Sequence, residues 1–431
     1  MRFKTLSDWL NWQETCHPNE IDLGLDRVLA VYSRLATKPI ARKIISVAGT
    51  NGKGSSICFL DNILHRAGYK VASYTSPHLF NYNERIQING VPVSDQDLCT
   101  VFDKIDHARI DHSGIDISLT YFEFGTIAAL LLMAEHDLDI AILEVGLGGR
   151  LDAVNIIDAN IALITAIDID HEAWLGSDKE KIGIEKAGIM RPSKPVVCSD
   201  AIAPKSISYN ASKINAELYS LNTEFNYSIN EFSWDWHGLS QNRYSLPFLP
   251  LKGSHQYNNI AGVLMVLELL ARDYPVSQNQ LREGILSSSI HGRLENIPGK
   301  INTIIDVAHN AHSTRALAGY LNENRCSGDI RIVTGMMSDK NINSIVETLT
   351  NKCLSWYVTD LPLDRAIPAL DLIKIIRQID VNSQCFAYAS AKVAYQQALD
   401  ESQKNDQIVI FGSFYLLQEL ESELFKTREL S

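Results

Sequence analysis

Apolar and polar positions along the first half of the chain follow two different periods in alternation. From residue 40, short β-branched apolar runs such as KIISVAG, DIAILEVG and NIALITAID alternate with segments of helical spacing such as SICFLDNILHRAG and YFEFGTIAALLLMAEHD. Strands that are buried on both faces read as continuous apolar runs, which is typical of a parallel sheet covered by helices. The pattern predicts a wound α/β domain built on a parallel sheet.

Residues 205–250 depart from this alternation. Aromatic and polar residues alternate there, as in FSWDWHG, which favours antiparallel hairpins appended to the sheet. Further along, a serine run at 287–289 and the following His291-Gly292-Arg293 neither continue a helix nor begin a strand. We interpret that stretch as a connector, and predict one domain over residues 1–294 and a second over residues 295–431.

The second domain repeats the alternation of strands and helices on a smaller scale. Its strand candidates are NTIIDVA, IRIVTGM, SWYVTDL, QCFAYAS and QIVIFGS. Strands that alternate with helices indicate a second parallel sheet with Rossmann-like topology. No G-x-G-x-x-G motif occurs in this region, so a dinucleotide ligand is not supported.

Composition narrows the classes of function. The net charge is −12 over 431 residues, so the global field does not attract nucleic acid or anionic membranes, and we expect neither as a partner. No apolar run is long enough to cross a membrane and the first residues lack a secretory signal, so we expect a cytoplasmic enzyme. The seven cysteines are scattered singly, without the spacing of a zinc site or a disulfide framework.

The segment GTNGKGS lies between an apolar strand and a helix, which is where a phosphate-binding loop is found. Its glycines allow backbone N–H groups to converge on phosphate oxygens, and Lys53 adds a positive charge. The order differs from a standard P-loop, since Gly54 follows the lysine and the hydroxyl comes one place later. The alternative is a tight glycine-rich turn without a ligand. The predicted nucleotide-binding residues here are Gly49, Thr50, Asn51, Gly52, Lys53, Gly54 and Ser55.

Polar side chains follow several other predicted strands. Glu144 ends the run DIAILEV, Ser76 follows a strand in SYTSPHL, and His171 follows one in AIDIDHEAWLG. The carboxyl ends of parallel strands face the ligand crevice, and carboxylate and hydroxyl oxygens suit Mg²⁺ bound to phosphates. The alternatives are an exposed strand-end glutamate for Glu144 and a histidine that only begins a helix for His171.

Two further segments are ambiguous by themselves. Lys186 lies in the middle of the helix candidate EKIGIEKAGIM, where periodicity alone favours a surface lysine. In IIDVAHNAHS, the residues Asp306, His309 and Asn310 end a strand, and such a cluster binds a nucleotide or merely caps the next helix.

Eleven motifs, taken in order, resemble the bifunctional dihydrofolate synthase/folylpolyglutamate synthase family of the Mur ligase superfamily. They are GTNGKGS, TSPHLFNYNERI, YFEFGTIAAL, EVGLGGRLDAVN, DHEAWLG, EKAGI, HQYNNIAG, HGRLE, DVAHN, GMMSDKN and GSF, and they extend from about residue 20 to residue 415. The resemblance implies an ATP-dependent ligase that phosphorylates a substrate carboxylate and transfers the acyl group to the amine of L-glutamate. It also implies a P-loop-type first domain and a smaller second domain that supplies glutamate.

The resemblance assigns roles to individual residues. Lys186 would be carbamylated by carbon dioxide, and with Lys53 and His309 would form the catalytic set. The Mg²⁺ ligands, for an expected pair of ions, would be Ser76, Glu144 and His171. Outside the loop, the nucleotide would contact Asn259, Arg293 and Asp306. The binding site for a pterin or folate would be lined by Thr120, Phe122, Phe124, Asp152 and Ala153, and glutamate would be bound by Ser413.

The phosphate machinery cannot distinguish the possible acids, so the substrate remains open at this point. The acid is dihydropteroate, a reduced folate with a growing glutamate tail, or both. The alternatives are a folylpolyglutamate synthase alone, a cell-wall Mur-type ligase, and a P-loop module that switches a partner without catalysis. We expect a monomer with small-molecule substrates only.

Overall fold

The computed structural model describes residues 1–36, 38–110, 114, 116–350, 352–353 and 355–425. This part of the chain divides into two compact units. The first consists of Met1–Asp168, Asp178–Pro250 and Tyr257–Ser288, and the second of Ile169–Ser177, Leu251–Gln256 and Ser289–Ser431. In the described ranges, no helix has the length and apolar character needed to cross a membrane.

The main sheet of the first unit is mostly parallel. Its strands are β1 (Lys43–Ala48), β2 (Val71–Tyr74), β3 (Ile86–Ile88), β4 (Val91–Pro92), β5 (Ile140–Glu144), β6 (Ile161–Ile164), β7 (Pro195–Cys198) and β8 (Glu217–Ser220). The strand order is β4-β3-β2-β5-β1-β6-β7-β8; β3 pairs in antiparallel fashion with both β2 and β4, and the other described pairs are parallel. Strand β1 lies between β5 and β6, so the loop after β1 begins beside the ends of both neighbours.

Helices cover this sheet, as the apolar strands require. The helices of the first unit are α1 (Leu6–Gln13), α2 (Asp26–Leu35), α3 (Lys53–Arg66), α4 (Asp95–Ala108), α5 (Tyr121–Ala134), α7 (Lys179–Ala187), α8 (Lys205–Lys213), α9 (His255–Leu270) and α10 (Gln278–Ser287), while α6 (Glu172–Leu175) belongs to the second unit. Helix α5 begins with a capping box between Thr120 and Glu123, which satisfies backbone N–H groups at its first turn. Helix α3 ends just before Gly68, which has a φ of 91° as expected for a left-handed helix terminus.

An antiparallel sheet follows the parallel one in sequence. Its strands are β9 (Asn226–Ile229), β10 (Trp234–His237) and β11 (Asn242–Leu246). The alternation in FSWDWHG buries Trp234 and Trp236, and the indole N–H of Trp236 donates to the Ala261 carbonyl of helix α9. The predicted extent of this region was too long, because residues 205–220 form α8 and then β8, which pairs in parallel with β7. The four-residue strand β8 is too short for a period to be recognised.

The second unit contains a smaller, mostly parallel sheet. Its strands are β12 (Glu295–Ile297), β13 (Asn302–Asp306), β14 (Ile330–Thr334), β15 (Ser355–Thr359), β16 (Gln384–Tyr388) and β17 (Gln407–Phe411), in the order β12-β13-β17-β14-β15-β16. Only β12 is antiparallel. The helices are α11 (Ala311–Glu323), α12 (Ile342–Leu349), α13 (Ala369–Ile379), α14 (Ala391–Glu401), α15 (Phe414–Glu419) and α16 (Glu421–Leu424). The predicted fold class, two α/β sheets with an added antiparallel region, is confirmed.

Helix α3 contains a buried carboxyl group whose environment opposes its charge. Asp61 is 8% exposed, and its Oδ1 has no hydrogen-bond partner. Burial raises the pKa of Asp61 to about 6 from an ordinary value near 3.8. The folded chain therefore binds more protons than the unfolded chain between these two values, so this group makes the protein less stable as the pH rises through 6.

We expect Asp61→Asn to stabilise the protein at neutral pH, because the amide carries no charge to bury. The gain should reach about 3 kcal/mol near pH 7.5 and shrink toward zero below about pH 3, where the wild-type carboxyl is protonated in both the folded and the unfolded state. Thermal or urea unfolding of both proteins at several pH values measures it. The exposed Asp137→Asn serves as the control and should show no such trend. A difference between Asp61→Asn and wild type that is the same at every pH would contradict the assignment.

Candidate active site

The loop after β1 is shaped by contacts with the end of β6. Thr50 donates its backbone N–H to the Ala166 carbonyl at 2.7 Å, and its hydroxyl donates to the Asp168 carbonyl at 2.8 Å. The Thr165 hydroxyl donates to the Asn51 carbonyl at 2.9 Å. A Cβ on Gly49 would lie 1.8 Å from that hydroxyl oxygen, so only glycine fits. These bonds hold the turn in one conformation at the carboxyl edge of the sheet.

Where the loop joins α3, the backbone makes a left-handed turn and the side chain of Lys53 folds back over the loop. Gly52 has a φ of 95°, and α3 begins at the next residue. Lys53 donates from Nζ to the carbonyls of Gly49 at 3.0 Å and Thr50 at 3.3 Å. Ser55 is buried in the first turn of α3. The ammonium thus lies over the loop, and the first N–H groups of α3 begin beside it, which is an arrangement suited to an anion.

Asn259 lies directly against this loop although it is far away in sequence. Its Oδ1 would be 2.4 Å from a Cβ placed on Gly52. The residue is buried in α9, which is otherwise mostly apolar. The structure therefore brings Asn259 to the predicted phosphate loop.

Glu144 and Ser76 meet at the ends of two paired strands. Glu144 is the last residue of β5, lies opposite Val47 of β1 and is 4% exposed. Its Oε2 accepts the backbone N–H of Ser76 at 3.0 Å, beyond the end of β2. The exposed strand-end alternative for Glu144 is therefore excluded by its burial.

Lys186 is buried rather than exposed. It is 3% exposed within α7, so the interpretation from periodicity alone is wrong. The loop after Glu144 packs against the same helix: Arg150 donates its backbone N–H to the Glu185 carbonyl at 2.8 Å. A Cβ on Gly149 would lie 3.2 Å from the Lys186 Cα. The loop after β5 therefore begins at Glu144 and packs against helix α7, which contains Lys186.

These residues suit a magnesium ion only if phosphate and water complete its coordination. Among the described residues, no group of three or more His, Cys, Asp or Glu side chains could hold a metal ion. Mg²⁺ in nucleotide sites, however, usually takes one or two protein carboxylates together with phosphate oxygens and water. The Glu144 carboxylate and the Ser76 hydroxyl are hard oxygen donors of that kind, so their chemistry fits the ion.

The predicted substrate-lining residues fall into two environments. Thr120 caps α5, and its hydroxyl accepts the Glu123 N–H at 3.2 Å. Phe122 is partly exposed and lies against Gly146, where a Cβ would be 2.6 Å from its ring. Phe124 is fully buried among core rings, 5.8 Å from Trp12 between centroids. Its ring packs in the hydrophobic core, so Phe124 does not line an open site.

Asp152 and Ala153 lie buried at the start of the short helix Ala153–Ile156. Asp152 accepts backbone N–H groups from Leu147 at 2.8 Å and Val154 at 3.0 Å. Burial raises the pKa of Asp152 to about 6, while its hydrogen bonds and the charge of Lys53 oppose that rise.

The remaining candidates lie in the second unit. Asp306 ends β13 and accepts the N–H groups of Leu294 at 2.8 Å and Ala308 at 2.7 Å. Burial raises its pKa, which the nearby Arg293 opposes. The Arg293 guanidinium lies 5.5 Å from the ring centroid of Phe414. Ser413 follows β17 and caps α15 by accepting the Tyr415 N–H at 3.0 Å.

His309 and His171 belong to the same unit. The His309 Nδ1 is 2.8 Å from the Val307 carbonyl, and its Nε2 is 3.5 Å from Asp170 Oδ2. His171 precedes α6 with a φ of 52°, a left-handed conformation that is uncommon for histidine. The structure thus gathers Arg293, Asp306 and His309 around the end of β13.

Comparisons with known proteins agree on one family. The Mur ligase, glutamate ligase domain family matches residues 292–414. The dihydrofolate synthase/folylpolyglutamate synthase of Escherichia coli K12 is 38% identical over 413 residues, which cover 95% of this chain and 93% of that protein. The chain belongs to the dihydrofolate synthase/folylpolyglutamate synthase family.

Solved structures of this family match the whole fold. The Escherichia coli FolC complex with DHPP and ADP has a TM-score of 0.91 at 36% identity and covers 99% of both chains. A bifunctional folylpolyglutamate synthase/dihydrofolate synthase with Mn, AMPPNP and L-glutamate bound has a TM-score of 0.87 at 38% identity and covers 98% of both chains. As a dihydrofolate synthase/folylpolyglutamate synthase family member, the protein is an ATP-dependent ligase.

Sequence reasoning missed several polar residues at the candidate site of this family member. Asp170 and Lys340 form a buried ion pair of 2.8 Å in the second unit; the sequence places Asp170 after a predicted strand without giving it a role, and it indicates Lys340 only through the motif GMMSDKN. Burial opposes the charge of Asp170, but His309 and Lys340 hold its pKa well below the usual range. The signal that could have indicated the pair is a charged residue in each motif, a few residues beyond a predicted strand.

A histidine–arginine pair beyond β2 was also missed. Arg85 donates from Nε to the His78 Nδ1 at 2.9 Å, and its guanidinium lies 5.3 Å from the ring centroid of Tyr121 at the start of α5. Burial and the charge of Arg85 lower the pKa of His78 to about 4, so this histidine is neutral at physiological pH. Nothing in the spacing of TSPHLFNYNERI indicates that these side chains meet.

Proposed function

We propose that this chain joins L-glutamate both to dihydropteroate and to reduced folates with a growing glutamate tail. ATP would phosphorylate the substrate carboxylate, and the glutamate amine would displace phosphate from the acyl phosphate to form the amide. The observation that carries the proposal is the gathering of the phosphate loop, Glu144 and Asn259 at one edge of the first sheet. The family relatives support the substrates, since one binds DHPP and ADP and another binds AMPPNP and L-glutamate.

The phosphate loop would hold the triphosphate of ATP. The backbone at the start of α3 offers N–H groups to phosphate oxygens, and Lys53 would turn from the carbonyls of Gly49 and Thr50 to the phosphate charge. Asn259 would contact the nucleotide from its place against Gly52. Such donors act by stabilising charge that moves onto the phosphoryl oxygens during transfer.

Glu144, Ser76 and His171 are the residues that would hold magnesium. The bound ion would neutralise phosphate charge, so that an anionic carboxylate can approach ATP. The contact between Ser76 N–H and Glu144 Oε2 fixes the direction of that carboxylate. The role of His171 rests on its motif and on its left-handed backbone at the start of α6.

Lys186 is proposed to carry a carbamate. The Lys186 ammonium would first lose one proton to water; the neutral amine would then attack the carbon of carbon dioxide, forming an N–C bond and releasing a second proton, so that a cation becomes an anion. Burial supports this step because a low-polarity environment favours loss of the lysine proton. The carbamate would then be a fixed anion on α7, next to the loop that follows Glu144.

The pterin or folate is proposed to lie beside α5 and the short helix after Asp152. Thr120, Phe122, Asp152 and Ala153 would contact it, whereas Phe124 would support them from the core. In the second unit, Arg293, Asp306 and His309 would contact ATP and Ser413 would bind L-glutamate. Residues 1–294 are proposed to form the ATP-binding domain and residues 295–431 the glutamate-ligase domain, and the family match over residues 292–414 supports the second assignment.

A substrate panel tests the function directly. Purified protein is assayed for phosphate release with dihydropteroate, tetrahydrofolate or a UDP-linked muropeptide, each with and without L-glutamate. We expect glutamate-dependent release with the first two acids only. Release with tetrahydrofolate alone would restrict the enzyme to folylpolyglutamate synthesis, and release with the muropeptide alone would contradict the proposal.

A further inference from the structure

The first unit contains a buried cation, Arg85, whose charge no neighbouring group neutralises. The residue is 8% exposed, and in the described part of the chain no carboxylate forms an ion pair with its guanidinium. Its Nε donates to the His78 Nδ1 at 2.9 Å, but this histidine is neutral, since burial and the charge of Arg85 lower its pKa to about 4. A buried charge in a protein is normally paired with an opposite charge. The missing partner indicates a negatively charged ligand.

The contacts of the guanidinium leave one of its edges open. Its Cζ lies 5.1 Å from the ring centroid of Tyr82 and 5.3 Å from that of Tyr121. These rings attract a cation but carry no negative charge. The His78 ring occupies Nε, whereas the two Nη atoms have no hydrogen-bond partner among the described residues. The N–H groups of the two Nη atoms match both oxygens of a carboxylate.

The position of Arg85 in the first sheet is at the ligand edge. Its carbonyl accepts the backbone N–H of Thr75 at 2.8 Å, so Arg85 lies beside the end of β2 and next to Ser76. The Ser76 N–H in turn contacts the carboxylate of Glu144 at the end of β5. Strand β2 pairs in parallel with β5, and β5 with β1, from which the phosphate loop begins. Arg85 is therefore adjacent to the residues proposed to hold magnesium.

The loop that leads from Thr75 to Arg85 is fixed by contacts of its own. The Glu84 carboxylate accepts three consecutive backbone N–H groups, those of Leu79 at 2.8 Å, Phe80 at 3.0 Å and Asn81 at 2.7 Å. The bond between Thr75 and Arg85 closes the base of the loop. Such a loop loses little conformational freedom when a ligand binds, so its arginine is already in place for an anion.

The acids of the proposed function differ in the number of carboxylates that they present. Dihydropteroate has one, and it reacts. A folate ends in glutamate, whose γ-carboxylate reacts while its α-carboxylate, separated from it by three carbon atoms, does not. We propose that Arg85 binds this α-carboxylate and is thus a specificity-determining residue for reduced folates. The inference rests on the proposed function, and it places the cation beside the group that reacts.

Arg85→Met tests the inference because it removes the charge and keeps an apolar side chain between the two rings. We expect kcat/KM for tetrahydrofolate to fall by about 30-fold through a higher KM, since a contact with a group that does not react contributes to binding alone. The kcat for tetrahydrofolate, and kcat/KM for dihydropteroate, should stay within about threefold of wild type. Glutamate-dependent phosphate release with each acid measures these values, and the stoichiometry of ADP binding counts the folded molecules.

A change in the substrate provides a second arm that needs no variant. A tetrahydrofolate analogue with an α-carboxamide lacks the negative charge that Arg85 would bind. Wild type should lose about 30-fold in kcat/KM with this analogue, whereas Arg85→Met should lose nothing further, because both changes remove the same contact. Arg85→Lys, which keeps the charge without the planar fork, should lose less than Arg85→Met.

Arg42→Met is the matched control. Arg42 lies in the same unit, is 57% exposed and pairs with Asp137 on the surface, so its removal should leave the turnover of both acids unchanged.

Three results would overturn the inference: equal losses with both acids in Arg85→Met, losses that multiply when variant and analogue are combined, or equal turnover of tetrahydrofolate and its α-carboxamide by wild type. Wild type that accepts dihydropteroate but no folate would also overturn it. Absence of glutamate-dependent phosphate release with every acid would contradict the proposed function, and the inference with it.

Discussion

Lys53→Ala is expected to lower kcat/KM for ATP by about 10²–10³-fold while the fold stays intact. The Lys53 side chain is partly exposed and its ammonium donates to the carbonyls of Gly49 and Thr50, so its removal leaves no cavity in the hydrophobic core. The loss arises from the missing charge beside the phosphates. Phosphate release at varied ATP concentrations measures it, and circular dichroism confirms the fold.

Lys104→Ala is the matched control for this variant. Lys104 lies in the same unit, is 50% exposed and pairs with Glu135 on the surface, so its removal should change neither turnover nor stability appreciably. Activity of Lys53→Ala within about threefold of wild type would remove the basis for the phosphate loop assignment.

Lys186→Ala is expected to lower kcat by about 10³-fold and to recover part of the loss when acetate or another small anion is added. The substitution removes the proposed carbamate and leaves space beside α7, where the wild-type side chain is 3% exposed. A small carboxylate that enters this space would restore the missing negative charge. The measurement is phosphate release as a function of acetate concentration, with chloride at the same ionic strength as reference.

Lys181→Ala is the matched control, because it removes a different lysine from the same helix. Lys181 is exposed, so neither its removal nor added acetate should alter turnover. A second readout is the carbon-13 signal of a carbamate in wild-type protein supplied with labelled bicarbonate. Full activity of Lys186→Ala without any anion would show that no carbamate is needed.

Local sequence patterns were enough to predict much of the fold. Runs such as DIAILEVG predicted the strands of the first sheet because strands buried on both faces consist of apolar residues throughout. GTNGKGS predicted the phosphate turn because a backbone with positive φ at Gly52, followed at once by a helix, requires a glycine there. The predicted antiparallel region was too long where strands shorten, since β8 has only four residues.

The burial of individual side chains was harder to predict from the sequence. Lys186 shows a helical spacing that suits the surface, yet the loop after β5 covers it. Phe122 and Phe124 stand two places apart on one helix, but one is partly exposed and the other is wholly in the core. Periodicity describes one element at a time, so it does not report what another element places over it.

The sequence alone was therefore sufficient to predict the class of fold, the phosphate turn and the polar residues at strand ends. These features depend on residues that are close together in the sequence. Folding was needed to show that Asn259 lies on Gly52, and that Asp170 pairs with Lys340 across 170 positions. Such pairings arise when strands distant in sequence become neighbours in a sheet. No period along the chain encodes which loops will then meet at its edge.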